Sequence, residues 1–133
     1  LTVTGVAPVA PTVSATAAIS AVTATTATSG GTVSADGGAT MTGGDAGICW
    51  NTAGTPVYTE GAPGGHAHHA SPAVESFAEN LTGLTAGTTY HVRAFAKNSV
   101  NANYAYGPEV DFNTAPDKLW LHSHIYAQGV HVQ

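Results

Sequence analysis

Charge is what this chain has least of. Asp, Glu, Lys and Arg make up 8% of its residues, against about a quarter in an average soluble domain. Its three basic side chains are Arg93, Lys97 and Lys118. They form no cluster, which excludes the basic patch that a phosphate backbone requires and with it a nucleic-acid partner. The same scarcity excludes a polybasic membrane-surface site. No apolar run is long enough for membrane insertion as a helix. One cysteine, Cys49, excludes an intrachain disulfide, so stability has to come from packing. A single Met and 8% aromatics argue against the bulky core of a helical bundle.

What is present is small and β-prone. The hydrophobic fraction of 43% is largely Ala and Val, a make-up suited to thin, closely packed sheets. Solubility rests on Thr, Ser, Asn and Gly, with a formal net charge of −5. Thr suits exposed strand faces, and a Thr/Ala/Gly-rich, Lys-poor chain is expected at the cell surface or outside the cell. A chain opening on Leu1 with no charged-then-apolar leader reads as processed or excised. At 133 residues it has room for one domain and one core.

Helical periodicity is nearly missing. The longest candidate, 73–84, carries Val74, Phe77 and Leu81 at helical spacing, but poor helix formers and Gly83 and Gly87 break it. Elsewhere short β-prone runs alternate with Gly, Pro, Asn and Asp, the rhythm of an all-β sandwich. Strands are expected at 12–15 and 19–25, as a first pair or as one interrupted edge strand, and at 26–35, 39–42, 46–51, 74–81, 88–97 and 106–114, with a tight turn at Asp36-Gly37-Gly38. The clearest is 88–97. There Tyr90, Val92, Ala94 and Ala96 share one face, and His91, Arg93, Phe95 and Lys97 share the other.

Around that strand the sequence resembles a known family. Leu84-Thr85-Ala86-Gly87-Thr88-Thr89-Tyr90-His91-Val92-Arg93-Ala94 is similar to the penultimate-strand motif of bacterial fibronectin type III-like modules. Tyr106-Gly107-Pro108-Glu109-Val110-Asp111-Phe112-Asn113-Thr114 resembles their last strand. Ser29-Gly30-Gly31-Thr32-Val33, Asp36-Gly37-Gly38-Ala39-Thr40 and Gly47-Ile48-Cys49-Trp50 resemble earlier ones. The resemblance covers about 11–114 and implies an antiparallel fibronectin type III/immunoglobulin-like β-sandwich. Trp50 would be a core aromatic, and Tyr90 a tyrosine corner whose hydroxyl ties back to upstream backbone. Such a scaffold serves many tasks, so function has to be argued from sites. Two stretches depart from the pattern: an insert at 61–71, and a continuation from 115 to 133.

Histidine is the residue most suggestive of chemistry. His66, His68 and His69 in the insert, and His122 and His124 in the continuation, could hold a Zn or Cu ion. Neither spacing matches a strong zinc signature, and a polar loop and a polar strand face explain both. Glu75 with Glu79, and Glu109 with Asp111, read as solvated strand faces rather than paired catalytic acids. Cys49 beside Trp50 reads as a small buried hydrophobe. With no phosphate loop and no nucleophile motif, the expectation is a non-enzyme without a required cofactor. Asn80-Leu81-Thr82 fits the N-glycosylation acceptor pattern at Asn80.

The ends carry the rest. Residues 1–10 read as a short strand or extension, with Leu1 and Val3 apolar and Pro8 a stiff separator. In 119–127, Leu119, Leu121, Ile125 and Ala127 alternate with Trp120, His122, His124 and Tyr126. A strand with an apolar face must bury it and protect its edge. It could fold back on its own sandwich, link to a further domain, or add to the sheet of another copy. Head-to-tail addition makes a filament. The leading expectation is therefore an extracellular filament or surface-layer subunit, a self-associating homopolymer joined through Leu1, Val3, Leu119, Trp120, Leu121, Ile125 and Tyr126. Two alternatives stay open: a module binding carbohydrate or another glycan ligand through Tyr58, Tyr104 and Tyr106, and a His-based metal-binding protein.

Overall fold

A computed structural model describes residues 7–59, 65–100 and 103–117. These form an all-β sandwich of two antiparallel sheets, with no helix among the described residues. The strands are β1 (Thr12–Thr16), β2 (Ala27–Ala35), β3 (Ala46–Asn51), β4 (His66–His69), β5 (Ser76–Leu81), β6 (Thr89–Ala96), β7 (Ala105–Tyr106) and β8 (Val110–Asn113). One sheet runs β1-β2-β5. The other runs β4-β3-β6, and beyond β6 come both β7 and β8.

Alternation decides what lies between the sheets. Val92, Ala94 and Ala96 from β6, Ala46, Ile48 and Trp50 from β3, Val33 from β2 and Leu81 from β5 all bury inward, with Tyr90. Successive strand residues point to opposite faces, so His91, Arg93, Phe95 and Lys97 face outward. The sheets approach closely because the facing residues are small. A Cβ built on Gly31 would lie 2.4 Å from the Ala94 methyl and 2.9 Å from the Ala15 carbonyl, so only glycine fits there.

Trp50 lies in the core as expected. The Tyr90 hydroxyl accepts the Thr85 backbone N–H at 2.8 Å, so the ring packs inside while its oxygen ties down the turn ahead of β6.

The two sides of the sandwich are laced by side chains. On one side β7 and β8 are split at Gly107 and Pro108, and the Thr16 hydroxyl takes the Ala94 N–H at 2.9 Å. On the other, His69 Nδ1 meets Glu79 Oε2 at 2.7 Å, and the His69 ring stacks on Phe77. Among the described residues no buried side-chain nitrogen or oxygen lacks a hydrogen-bond partner.

Four expectations about the strands need correction. Residues 19–25 form no second strand paired with the first; after β1 the edge is interrupted and meets β2 again at the bridge Ser20–Thr28, and the Thr23 hydroxyl ties the following turn to Thr26. Residues 39–42 are loop, because the Asp45 carboxylate folds the chain back by accepting the Thr42 N–H and hydroxyl. The expected last strand is two short pieces, interrupted where Pro108 has no N–H to give. The insert, read as a polar loop, contains a strand, since His66–His69 pairs with Ala46–Cys49. Leu1, Val3, Leu119, Trp120, Leu121, His122, His124, Ile125 and Tyr126 lie outside the described residues.

Candidate functional site on the outer face of the five-stranded sheet

The outward residues of β6 form a row, each held by a different partner. Phe95 is completely buried although it lies outside the inter-sheet core. Tyr58 stacks on it at 4.8 Å and 6°, while Tyr104 and His68 meet it edge-on at 5.1 and 5.7 Å. The segment after β3 makes this possible by folding back over the sheet. It is anchored where the Tyr58 N–H donates to the Tyr106 hydroxyl at 2.9 Å and Arg93 Nε donates to the Pro56 carbonyl at 2.9 Å. Gly47 leaves room for this cover, since a Cβ there would lie 2.9 Å from the Phe95 ring and 2.1 Å from the Ala67 carbonyl.

Three tyrosines named from the sequence thus come together. Tyr58 meets Tyr104 edge-on at 5.0 Å, and Tyr106 carries the Arg93 guanidinium 4.1 Å over its ring. Burial raises the pKa of the Tyr106 hydroxyl. Tyr58, His68, Tyr104, Asp45 and Lys97 line an open cavity of about 260 Å³ with Gly43 and Gly44. Lys97 is paired to Asp45 at 3.2 Å.

The insert histidines divide between two faces. His66 and His68 point outward beside Tyr58, each with its ring centroid 4.9 Å away. His69, one residue on, turns to Glu79 and Phe77. Both ring nitrogens of His68 are engaged, Nδ1 with the Gly44 carbonyl at 2.8 Å and Nε2 with the Tyr58 hydroxyl at 3.1 Å. These contacts make His68 a bracket between loops, and β pairing keeps His69 from joining its two neighbours around one ion.

Further along the row, His91 meets two carboxylates. Its Nδ1 lies 2.7 Å from Asp111 Oδ1 and 3.0 Å from Glu109 Oε2. His91 and Asp111 are direct partners across β6 and β8, and Glu109, two residues earlier, shares the face. The hydrogen bond to Asp111 raises the pKa of His91 above the ordinary 6.5; partial desolvation opposes it, and the charges of Asp111 and Glu109 add to it. The two acids had read as a solvated pair because their partner is distant in the chain. A register guess matching Tyr90 with Phe112 would have exposed it.

Cys49 also lies on this outward side of β3 but is buried, and burial pushes its thiol up to about 12 against the opposing charge of Arg93. Asn80 is exposed on β5 and accepts the Thr28 hydroxyl at 3.1 Å.

No protein-family model matches this chain, and no curated protein sequence does either.

Proposed function

We propose that this chain is a fibronectin type III-like module of an extracellular filament or surface layer, joined to its neighbours by β-strand addition and without catalysis. The observation that carries this reading is that, among the described residues, the stretch 12–113 supplies every strand of the two sheets, while the alternating segment 119–127 follows it in the sequence. Ile48, Leu81 and Val92 between the sheets are fully buried, and side chains lace both sides of the sandwich. By its alternation that segment reads as a strand with an apolar face of Leu119, Leu121 and Ile125, suited to a neighbour's sheet edge. The strand order and the Tyr90 corner support the family reading; the low charge and Thr-rich composition support the location.

Negative-stain microscopy and sedimentation of the unheated full chain test the proposal. Polymers are expected, and deleting 119–133 should abolish them while the near-ultraviolet signal of buried Trp50 persists. A strictly monomeric full chain at all concentrations overturns it.

A second reading is favoured by one observation, the gathering of Tyr58, Tyr104, His68, Asp45 and Lys97 around one open cavity. Aromatic faces beside fixed polar groups are what a sugar ring needs. Under this reading a glycan array gives a hit that Tyr104→Ala removes while the circular dichroism spectrum is retained. An array with no hit removes this alternative.

A further inference from the structure

The row of outward side chains on β6 has an excess of negative charge at one end. His91, Glu109 and Asp111 bring their donor atoms within 4.8 Å of one another. Antiparallel pairing sets His91 opposite Asp111, and the two-residue strand period returns Glu109 to the same face. Two carboxylates therefore share a single imidazole. The basic side chains that could balance them are committed elsewhere. Arg93 lies over the Tyr106 ring and binds the Pro56 carbonyl, and Lys97 pairs with Asp45. Among the described residues there is no further Lys or Arg.

The spacing also fits an ion. Neighbouring donors around a six-coordinate ion at bond lengths near 2.1 Å stand about 3.0 Å apart. The imidazole-to-carboxylate distances here are 2.7 and 3.0 Å, so a cation about 2.1 Å from each donor would sit to one side of the hydrogen-bond lines and replace the shared proton once the side chains turn toward it. Glu109 is aimed by its other oxygen, Oε1, which accepts the Thr55 N–H at 2.6 Å. Thr55 is held in the left-handed region at φ 48, unusual for a β-branched residue. The turn is fixed from both ends by the Asn51 side chain, which takes the Gly54 N–H and donates to the Gly54 carbonyl.

We propose that His91, Glu109 and Asp111 form a divalent-cation site for a first-row transition ion, with one imidazole nitrogen and two carboxylates as ligands and water filling the solvent side. One nitrogen with two oxygens suits Zn2+ or Mn2+. Binding uses the neutral imidazole and releases the proton that His91 shares with its acids. This set is separate from the insert histidines, and, lying on β6, on β8 and just before β8, it does not need the cavity at Tyr58.

The test is an NMR titration of chelator-stripped full chain with Mn2+, with Zn2+ followed by calorimetry. Amide signals of Tyr90–Val92 and Val110–Phe112 should broaden first, and Zn2+ should show a saturable event. Asp111→Asn and Glu109→Gln, both exposed and near-isosteric, should each weaken it by more than about tenfold. His68→Ala should leave it unchanged. Absence of saturable binding overturns the proposal. So does binding that survives both acid variants, or broadening centred on His66–His69 or on residues 122–131.

Discussion

The two faces of the five-stranded sheet are built on different physics from the same strands. Inward, β3 and β6 present Ile48, Trp50, Val92 and Ala94 to a second sheet, and burial of apolar area is the main stabilising term. Outward, the same strands present His91, Arg93, Phe95 and Lys97, and a polar loop rather than a sheet covers part of them. There, aromatic contacts, a cation over a ring and side-chain-to-backbone hydrogen bonds hold the cover in place. A face that alternation assigns to solvent is therefore half interior. It is also where the tyrosine-lined cavity and the His91 cluster lie, because there polar and ionisable groups from distant parts of the chain meet in fixed geometry.

If the outer cover is a second core, truncating it should hurt as truncating the first does. Phe95→Ala is expected to destabilise by about 3–5 kcal/mol, and Leu81→Ala in the inner core by about 2–5 kcal/mol, both read from urea midpoints. A loss below about 1 kcal/mol for Phe95→Ala would reduce the outer cover to a loose loop.

The seam between the faces comes next. Thr16→Val keeps the shape but leaves the Ala94 N–H buried without an acceptor, so a loss of about 1–3 kcal/mol is expected. Accelerated hydrogen exchange at Ala94 would locate it. Tyr90→Phe removes only the hydroxyl that holds Thr85, with a smaller loss of about 1 kcal/mol.

The smallest effect belongs to His91. Its pKa is raised in the folded chain from 6.5, so the protonated form is the one that folding favours. In metal-free protein this contribution is present in full below that ordinary value. It fades as pH rises through the folded value. Stability measured from pH 6 upward should show a shallow decline that His91→Gln flattens. An unchanged slope would mean that the imidazole contributes nothing to the outer face.

Much of this architecture was readable before the fold. β6 stood out because Tyr90, Val92, Ala94 and Ala96 alternate without interruption. β3 was bounded by turn residues at both ends, and its limits match those expected. The Tyr90 tie was legible because a Leu, a Gly-Thr turn and a Tyr follow in one short stretch. Errors arose where local signals were ambiguous. Residues 39–42 are β-prone, but the Asp45 carboxylate draws Thr42 into a turn. His66–His69 looks polar and exposed, yet it is a strand because the free edge of β3 was there to pair with it.

Alternation, turn residues and small side chains are properties of neighbours in the chain. They were enough to determine that this protein is an all-β antiparallel sandwich, and which face of β6 is the core. The site is not a property of neighbours. His91 meets Asp111 across a strand pair, and Tyr58 reaches Phe95 by a loop that doubles back over the sheet. Both joins close long stretches of chain, and the burial and hydrogen bonding that offset the closure entropy exist only once the sandwich has formed. For that reason tertiary structure alone decided that Phe95 is buried, that the histidine insert splits between two faces, and that two acids read as a solvated strand face converge on one imidazole.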